Sequence, residues 1–182
     1  ATTVHRLIHW FRPPHFEDIK SPENLHELQK QLGSTKLLII DEISMVSAEL
    51  LAALEKVVRD VVRARRTYQV RSDGTHRAFG GVNVVFFGDW WQLRPVGGTA
   101  HFSHPRFASC GTASEGMDLF WGSGPDTIRA LWELVTPVRC KDRWHTAFLG
   151  SCRNGMLLED THNFLHGYPT LIAASGAHLG CR

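Results

Sequence analysis

Two short apolar runs that each end in acid constrain this chain more than any other feature: Leu37-Leu38-Ile39-Ile40 leads into Asp41-Glu42, and Val82-Asn83-Val84-Val85-Phe86-Phe87 leads into Gly88-Asp89. Runs of this length without polar alternation fit strands buried on both faces, the environment of a parallel sheet. Between them, after Ser47, the residues Leu50, Leu51, Leu54, Val57, Val58, Val61 and Val62 recur at helical spacing, with Glu49, Lys56, Arg59, Asp60 and Arg63 opposite. A long amphipathic helix therefore joins the two strands. An earlier helix is expected from Ser21-Pro22-Glu23, with a hydroxyl cap, proline at the first helical position and an acid at the positive end of the dipole. Leu25, Leu28 and Leu32 give it one face, and Gly33 is its stop. Helix, strand, helix, strand is the rhythm of an α/β fold with a mostly parallel sheet flanked by helices.

The rest is less periodic. Residues 97–125, rich in Gly and Ser, read as a loop or small insert. Leu131-Trp132-Glu133-Leu134-Val135 reads as a strand, Asp142 to Cys152 as a short helix with Trp144 and Phe148 inward, and Glu159 to His166 as a helical turn ended by Gly167 and Pro169. Phe86 and Phe87 are expected in the core. Trp90 and Trp91 fit core or interface packing better than base stacking.

With 182 residues, the chain has the length of one ordinary domain. At 43% hydrophobic and 10% aromatic it can bury a core, which excludes intrinsic disorder. No apolar run approaches the roughly 20 residues needed to span a bilayer, so no membrane partner is expected. A net charge of +2 is too small to signal nucleic acid by itself. The excess is local: residues 59–77 hold six Arg and two Asp, either solvated surface or a phosphate-tracking patch. Cys110, Cys140, Cys152 and Cys181 form no CxxC pair, which fits a reducing, intracellular setting. Cys140, Cys152, His162 and His166 are the loosest metal candidates, but their spacing does not fit a zinc finger. His5 with His9, and His101 with His104, read as surface or satisfied core histidines.

In open α/β sheets ligands bind beyond the carboxyl ends of the strands, where this chain delivers Asp41, Glu42 and Asp89. Mg²⁺ takes one or two carboxylates plus water and substrate phosphates, and a neighbouring Glu can activate a water. An apolar strand ending in Asp-Glu has the form of a Walker B element.

Together with the second strand, these residues resemble one family. Asp41-Glu42-Ile43-Ser44-Met45-Val46 and Gly88-Asp89-Trp90-Trp91-Gln92-Leu93 are similar to motifs II and III of the Pif-type (petite integration frequency) DNA helicases of superfamily one. Thr2-Thr3-Val4-His5 resembles their motif Ia. Pro137-Val138-Arg139-Cys140-Lys141-Asp142, followed by Cys152-Arg153-Asn154-Gly155, resembles their motif IV region, and Asn163 to Thr170 a segment of eukaryotic members.

The resemblance implies a RecA-like P-loop NTPase lobe: residues 1–138 would be the central part of the first lobe, and 139–182 the start of the second. It implies an ATP-dependent helicase that uses Mg²⁺ and moves 5′-to-3′ on single-stranded DNA and at duplex junctions, in repair, recombination or telomere maintenance. A monomer in the nucleus or mitochondrion is expected. Asp41 would hold the metal and Glu42 would be the base. Gln92 would contact the γ-phosphate or attacking water, and Arg139 would be the finger that stabilises the transferred phosphoryl group. Thr3 and His5 would lie on single-stranded DNA.

Two positions depart from the family pattern: Arg94 stands where a proline is usual, and Cys140 where a Gln is common. Lys20, Lys30, Lys36, Lys56 and Lys141 are each preceded by a residue other than Gly, so these 182 residues hold no Gly-Lys-Ser/Thr phosphate loop. The expectation is a cut piece whose phosphate loop lies upstream, inactive alone, with a sheet edge and apolar surface that the whole protein would cover. The alternatives are a non-catalytic DNA-binding remnant of a mobile-element helicase, and a RecD-type P-loop ATPase.

Overall fold

The computed structural model describes residues 2–7, 22–62, 66–104, 106, 111–136, 138–139 and 141–166. Ser21, His9, Arg63, Arg65, Cys140, Gly167 and Pro169 lie outside the described residues. The chain forms two compact units, Ala1–Ala130 and Leu131–Arg182.

The first unit is built on two parallel strands, β1 (Leu37–Ile40) and β2 (Asn83–Phe86), with Leu37 opposite Asn83 and Ile40 opposite Phe86. Two helices precede and follow β1: α1 (Pro22–Leu32) and α2 (Ala48–Val61). The Ser47 hydroxyl accepts the Leu50 N–H at 3.2 Å, which starts α2 where its sequence places the cap. Leu50, Leu51, Leu54, Val57, Val58 and Val61 of α2 are buried, and each such side chain contributes about 1.5–3 kcal/mol on leaving water. They form one cluster with Leu28 of α1, Ile40 of β1 and Phe120, against which Leu38, Val84 and Phe86 also pack.

That cluster covers one face of the sheet. The period of two sends the alternate residues to the other face, where Leu37 and Ile39 are 51% and 59% exposed, and Phe87 is 48% exposed. Strands buried on both faces, with Phe87 in the core, are therefore not what the described residues form. The reason is that α1, α2 and the helix carrying Phe120 all serve the same cluster.

That last helix, α3 (Gly111–Trp121), falls where the sequence reads as irregular. Its buried residues Ala113, Gly116, Met117 and Phe120 keep the i, i+3, i+4, i+7 spacing of a helix face, but two of the four are too small to register as an apolar stripe. Gly116 is required by contact: a Cβ there would sit 1.9 Å from the Ala48 carbonyl oxygen at the start of α2. A close crossing thus replaces bulk with a glycine.

The segment between α2 and β2 holds a helical turn (Arg66–Gln69), a bridge between Val70 and His76, and a tight turn in which Phe79 has φ 53. The Glu55 carboxylate, 6% exposed, accepts the Phe79 N–H at 3.1 Å. Burial pushes its pKa up, opposed by Arg59 at 3.4 Å. Arg71 pairs with Asp126 and donates to the His76 carbonyl. Arg59 and Arg71, two members of the basic run, thus serve the fold.

In the second unit, Asp142 caps α4 (Arg143–Arg153) by accepting the Trp144 and His145 N–H groups. Trp144 stacks on Phe148 with centroids 5.6 Å apart and meets Phe164 of α5 (Glu159–Leu165) edge-on at 4.8 Å. These aromatics lie half-buried and not in a core; α4 and α5 bury no residue fully. Leu131–Val135 is not a strand: no neighbour pairs with it among the described residues, and Leu131, Trp132 and Leu134 are each more than 80% exposed. An apolar sequence cannot make a ladder without a partner. No helix among the described residues is long and apolar enough to cross a membrane.

Candidate functional site

Because β1 and β2 run parallel in register, Asp41-Glu42 and Gly88-Asp89 leave the same edge of the sheet. The pairing continues one step past the strands, with the Phe87 N–H donating to the Ile40 carbonyl at 2.8 Å and the Ile43 N–H to the Phe87 carbonyl at 2.9 Å. The two exits are therefore fastened together. Gly88 permits that approach, since a Cβ would lie 2.9 Å from the Ile43 backbone nitrogen.

Asp41 and Glu42 are exposed, and the Asp41 carboxylate accepts the Glu42 N–H at 2.9 Å. Glu42 sits in the left-handed region, φ 53 and ψ 45, immediately before the short 3₁₀ turn Ile43–Met45. A non-glycine residue there costs on the order of 1–3 kcal/mol, a strain that folds hold at functional sites. Ser44 in that turn is buried, and its hydroxyl oxygen has no hydrogen-bond partner among the described residues.

On the other exit, the Asp89 side chain accepts the Trp91 N–H at 3.0 Å and its carbonyl accepts the Gln92 N–H at 3.1 Å. This side-chain turn presents Gln92 to solvent. It also separates the two tryptophans. Trp91 is 72% exposed, whereas Trp90 packs among His101, Phe102, Phe120 and Trp121 with centroids 5.6–6.4 Å away. Only Trp90 fits the expected packing role.

Beyond Gln92 the chain returns to α2. The Thr99 N–H and hydroxyl donate to the Glu49 carboxylate, the hydroxyl at 2.8 Å, and the Ala48 N–H donates to the Thr99 carbonyl at 2.8 Å. Burial raises the Glu49 pKa, but the Thr99 and Ser47 hydrogen bonds outweigh it and hold the carboxyl below the ordinary range. The segment after Glu42 and the segment after Gln92 are thus stapled at one helix start. No local sequence pattern marks Glu49, Thr99 or His101 as anchors, because Glu49 and Thr99 meet across fifty residues and His101 acts through burial.

Thr3 accepts the Arg6 N–H at 3.2 Å and caps the helical turn Val4–Leu7, whose Val4 and Leu7 pack on the main cluster. The backbone of His5 lies on that turn, and its side chain is outside the described residues. Arg139 belongs to the second unit and is exposed there. Asp41, Glu42 and Gln92 are the expected site residues that the sheet edge brings together.

Among the described residues no group of three His, Cys, Asp or Glu side chains is placed to hold a metal, so Cys152, His162 and His166 form no such site. An exposed pair of acids at a sheet edge does suit Mg²⁺, which keeps most of its waters and takes its remaining ligands from substrate phosphates.

Residues 16–115 match the model of the PIF1-like helicase family. The chain belongs to that family. It is 32% identical over 112 residues to the ATP-dependent DNA helicase PIF1 of Rattus norvegicus, covering 58% of this chain and 16% of the relative. Of solved structures, the Pif1 helicase from Candida albicans matches with TM-score 0.55 and 24% identity over 88% of this chain and 32% of that one, a likeness of fold. A structure described as the basis for DNA unwinding at forked dsDNA by two coordinating Pif1 helicases matches with TM-score 0.54 and 25% identity, over 91% of this chain and 37% of that one. The fold is RecA-like, and the chain spans about a sixth of the rat relative's length.

Proposed function

We propose that the native protein is an ATP-dependent DNA helicase, hydrolysing Mg-ATP to move 5′-to-3′ on single-stranded DNA and to open duplex junctions, in repair, recombination or telomere maintenance. The observation that carries this reading is the convergence of Asp41, Glu42 and the Gln92 turn on one fastened sheet edge, with Glu42 held in a strained conformation. In this reading Asp41 holds the hydrated Mg²⁺, which neutralises charge on the phosphate oxygens when bound. Glu42 takes a proton from the attacking water. Gln92 donates and accepts at the γ-phosphate or that water, as a neutral amide can.

In this reading residues 1–138 are the central part of the first lobe and Arg139 lies at the start of the second, its planar cation stabilising the transferred phosphoryl group. Thr3 and His5 contact the single strand. The likeness to an ATP-dependent DNA helicase of Rattus norvegicus, and to a structure of two Pif1 helicases unwinding forked dsDNA, supports this assignment. The test is ATP turnover by the native protein with and without single-stranded DNA: Glu42→Gln is expected to lower kcat about 100-fold or more, the effect of losing a general base. Retention of turnover by that variant refutes the role of Glu42. Duplexes with a 5′ or a 3′ tail separate the two directions, and unwinding of the 3′-tailed duplex alone would overturn the polarity.

A further inference from the structure

Gln92 is a solvent-exposed amide on a loop, yet its proposed role requires it to hold one position against a phosphate. The residues two before and two after it show how. Trp90 packs on Phe102 with centroids 5.8 Å apart, and the Arg94 guanidinium lies over the same Phe102 ring at 5.4 Å. Phe102 is half-buried and follows His101, which is 1% exposed and packs at a tilt against Phe120 with centroids 4.6 Å apart. The Trp121 indole N–H donates to the His101 carbonyl at 2.6 Å and ties this stretch to α3. Gln92 therefore crowns an arch whose two feet stand on one ring.

We infer that Phe102 is the common footing for Trp90 and Arg94, and that Arg94 acts as a positioning residue for Gln92 by stacking on it. A proline at position 94 would fix φ and stiffen the turn through the backbone; Arg94 supplies the restraint through a cation–π contact. The arginine in this reading needs its contact with Phe102, not its charge toward a ligand. Among the described residues the Arg94 N–H makes no backbone hydrogen bond, so a proline there removes no ladder partner. The inference rests on the proposed role of Gln92.

The experiment is DNA-stimulated ATP turnover by the native protein and by Arg94→Ala, Arg94→Pro, Gln92→Ala and the double variant Arg94→Ala/Gln92→Ala, with melting temperatures as a fold control. Arg94→Ala is expected to lower kcat about two- to five-fold, the span of an exposed cation–π contact, with little change in KM for ATP. Arg94→Pro is expected to restore it, and Arg94→Ala is expected to add nothing once Gln92 is gone. Arg94→Pro as impaired as Arg94→Ala, or losses that multiply in the double variant, overturns the inference, because charge or a separate path would then be at work. If Gln92→Ala alone leaves turnover unchanged, the proposed role of Gln92 fails and takes this inference with it.

Discussion

Acidification strikes this fold at His101. The side chain is 1% exposed and lies against Phe120 and Trp90, and neither ring nitrogen has a hydrogen-bond partner among the described residues. Burial lowers its pKa from 6.5 to about 4, against the opposing pull of the Glu49 carboxylate. The unfolded chain thus binds a proton at this position between pH 6.5 and about 4 while the folded chain does not, and stability rises with pH across that window. The contribution is complete above pH 6.5, falls by about 1.4 kcal/mol per pH unit below it, and levels off below about pH 4. The full loss is about 3 kcal/mol, a large part of the roughly 5–15 kcal/mol that holds a domain folded.

Urea unfolding of the 182-residue chain from pH 8 to pH 4, compared with His101→Phe, isolates the effect, because other groups titrate in both proteins and cancel in the difference. The difference is expected to be flat above pH 6.5 and to slope below it. A flat difference throughout, or an NMR titration placing the His101 imidazole near 6.5 in the folded chain, refutes the reasoning. In the folded chain the imidazole gains its charge against Trp90 only as pH falls through about 4, so the Gln92 arch is expected to loosen there and to hold above it.

Two further outcomes follow from backbone geometry. Gly116→Ala drives a methyl into the Ala48 carbonyl, a contact of 1.9 Å that only separation of α3 from α2 relieves; a loss of about 1–3 kcal/mol or more is expected in denaturant titration. Glu42→Asn places a residue that tolerates the left-handed region at φ 53, and is expected to raise stability by about 0.5–1 kcal/mol while abolishing ATP turnover; a variant that melts below the parent refutes strain at that position.

The elements that sequence revealed are those whose side chains carry their own periodicity. The α2 stripe that follows Ser47, the two apolar strands and the short helix opening at Asp142 are local patterns, and each appears within a residue or two of its expected place. What sequence concealed depends on a distant partner. The face of α3 is legible only once Ala48 stands against Gly116, and Leu131–Val135 has the composition of a strand without a ladder partner among the described residues. The pair Trp90-Trp91 is one dipeptide in sequence and two environments in space, because the Asp89 turn sends one ring to the cluster and the other to solvent. The resemblance to the family's motifs points to Asp41, Glu42 and Gln92, but no sequence pattern points to the staple of Thr99 to Glu49 that frames them.

That staple explains why exposed residues can be accurately placed. Asp41, Glu42 and Gln92 have little packing of their own, so their positions are inherited from backbone. The inheritance runs in a closed ring: β1 to Glu42, through the 3₁₀ turn to Ser47 and α2, across Glu49 to Thr99, back along the loop to Gln92 and Asp89, and through Gly88 to β2, which is paired with β1. A closed ring restricts every member, whereas two loops anchored only at their strands would each move independently. Gly98 is where the ring is tightest, with φ 74 and room for no Cβ, which would lie 2.7 Å from the Glu49 carboxylate and 2.8 Å from the Ser47 Cβ. A side chain at Gly98 would therefore part Thr99 from Glu49 and release the Gln92 loop while leaving the strands, Asp41 and Glu42 in place. Function in such a site is lost by loosening its frame before any residue that performs the chemistry is touched.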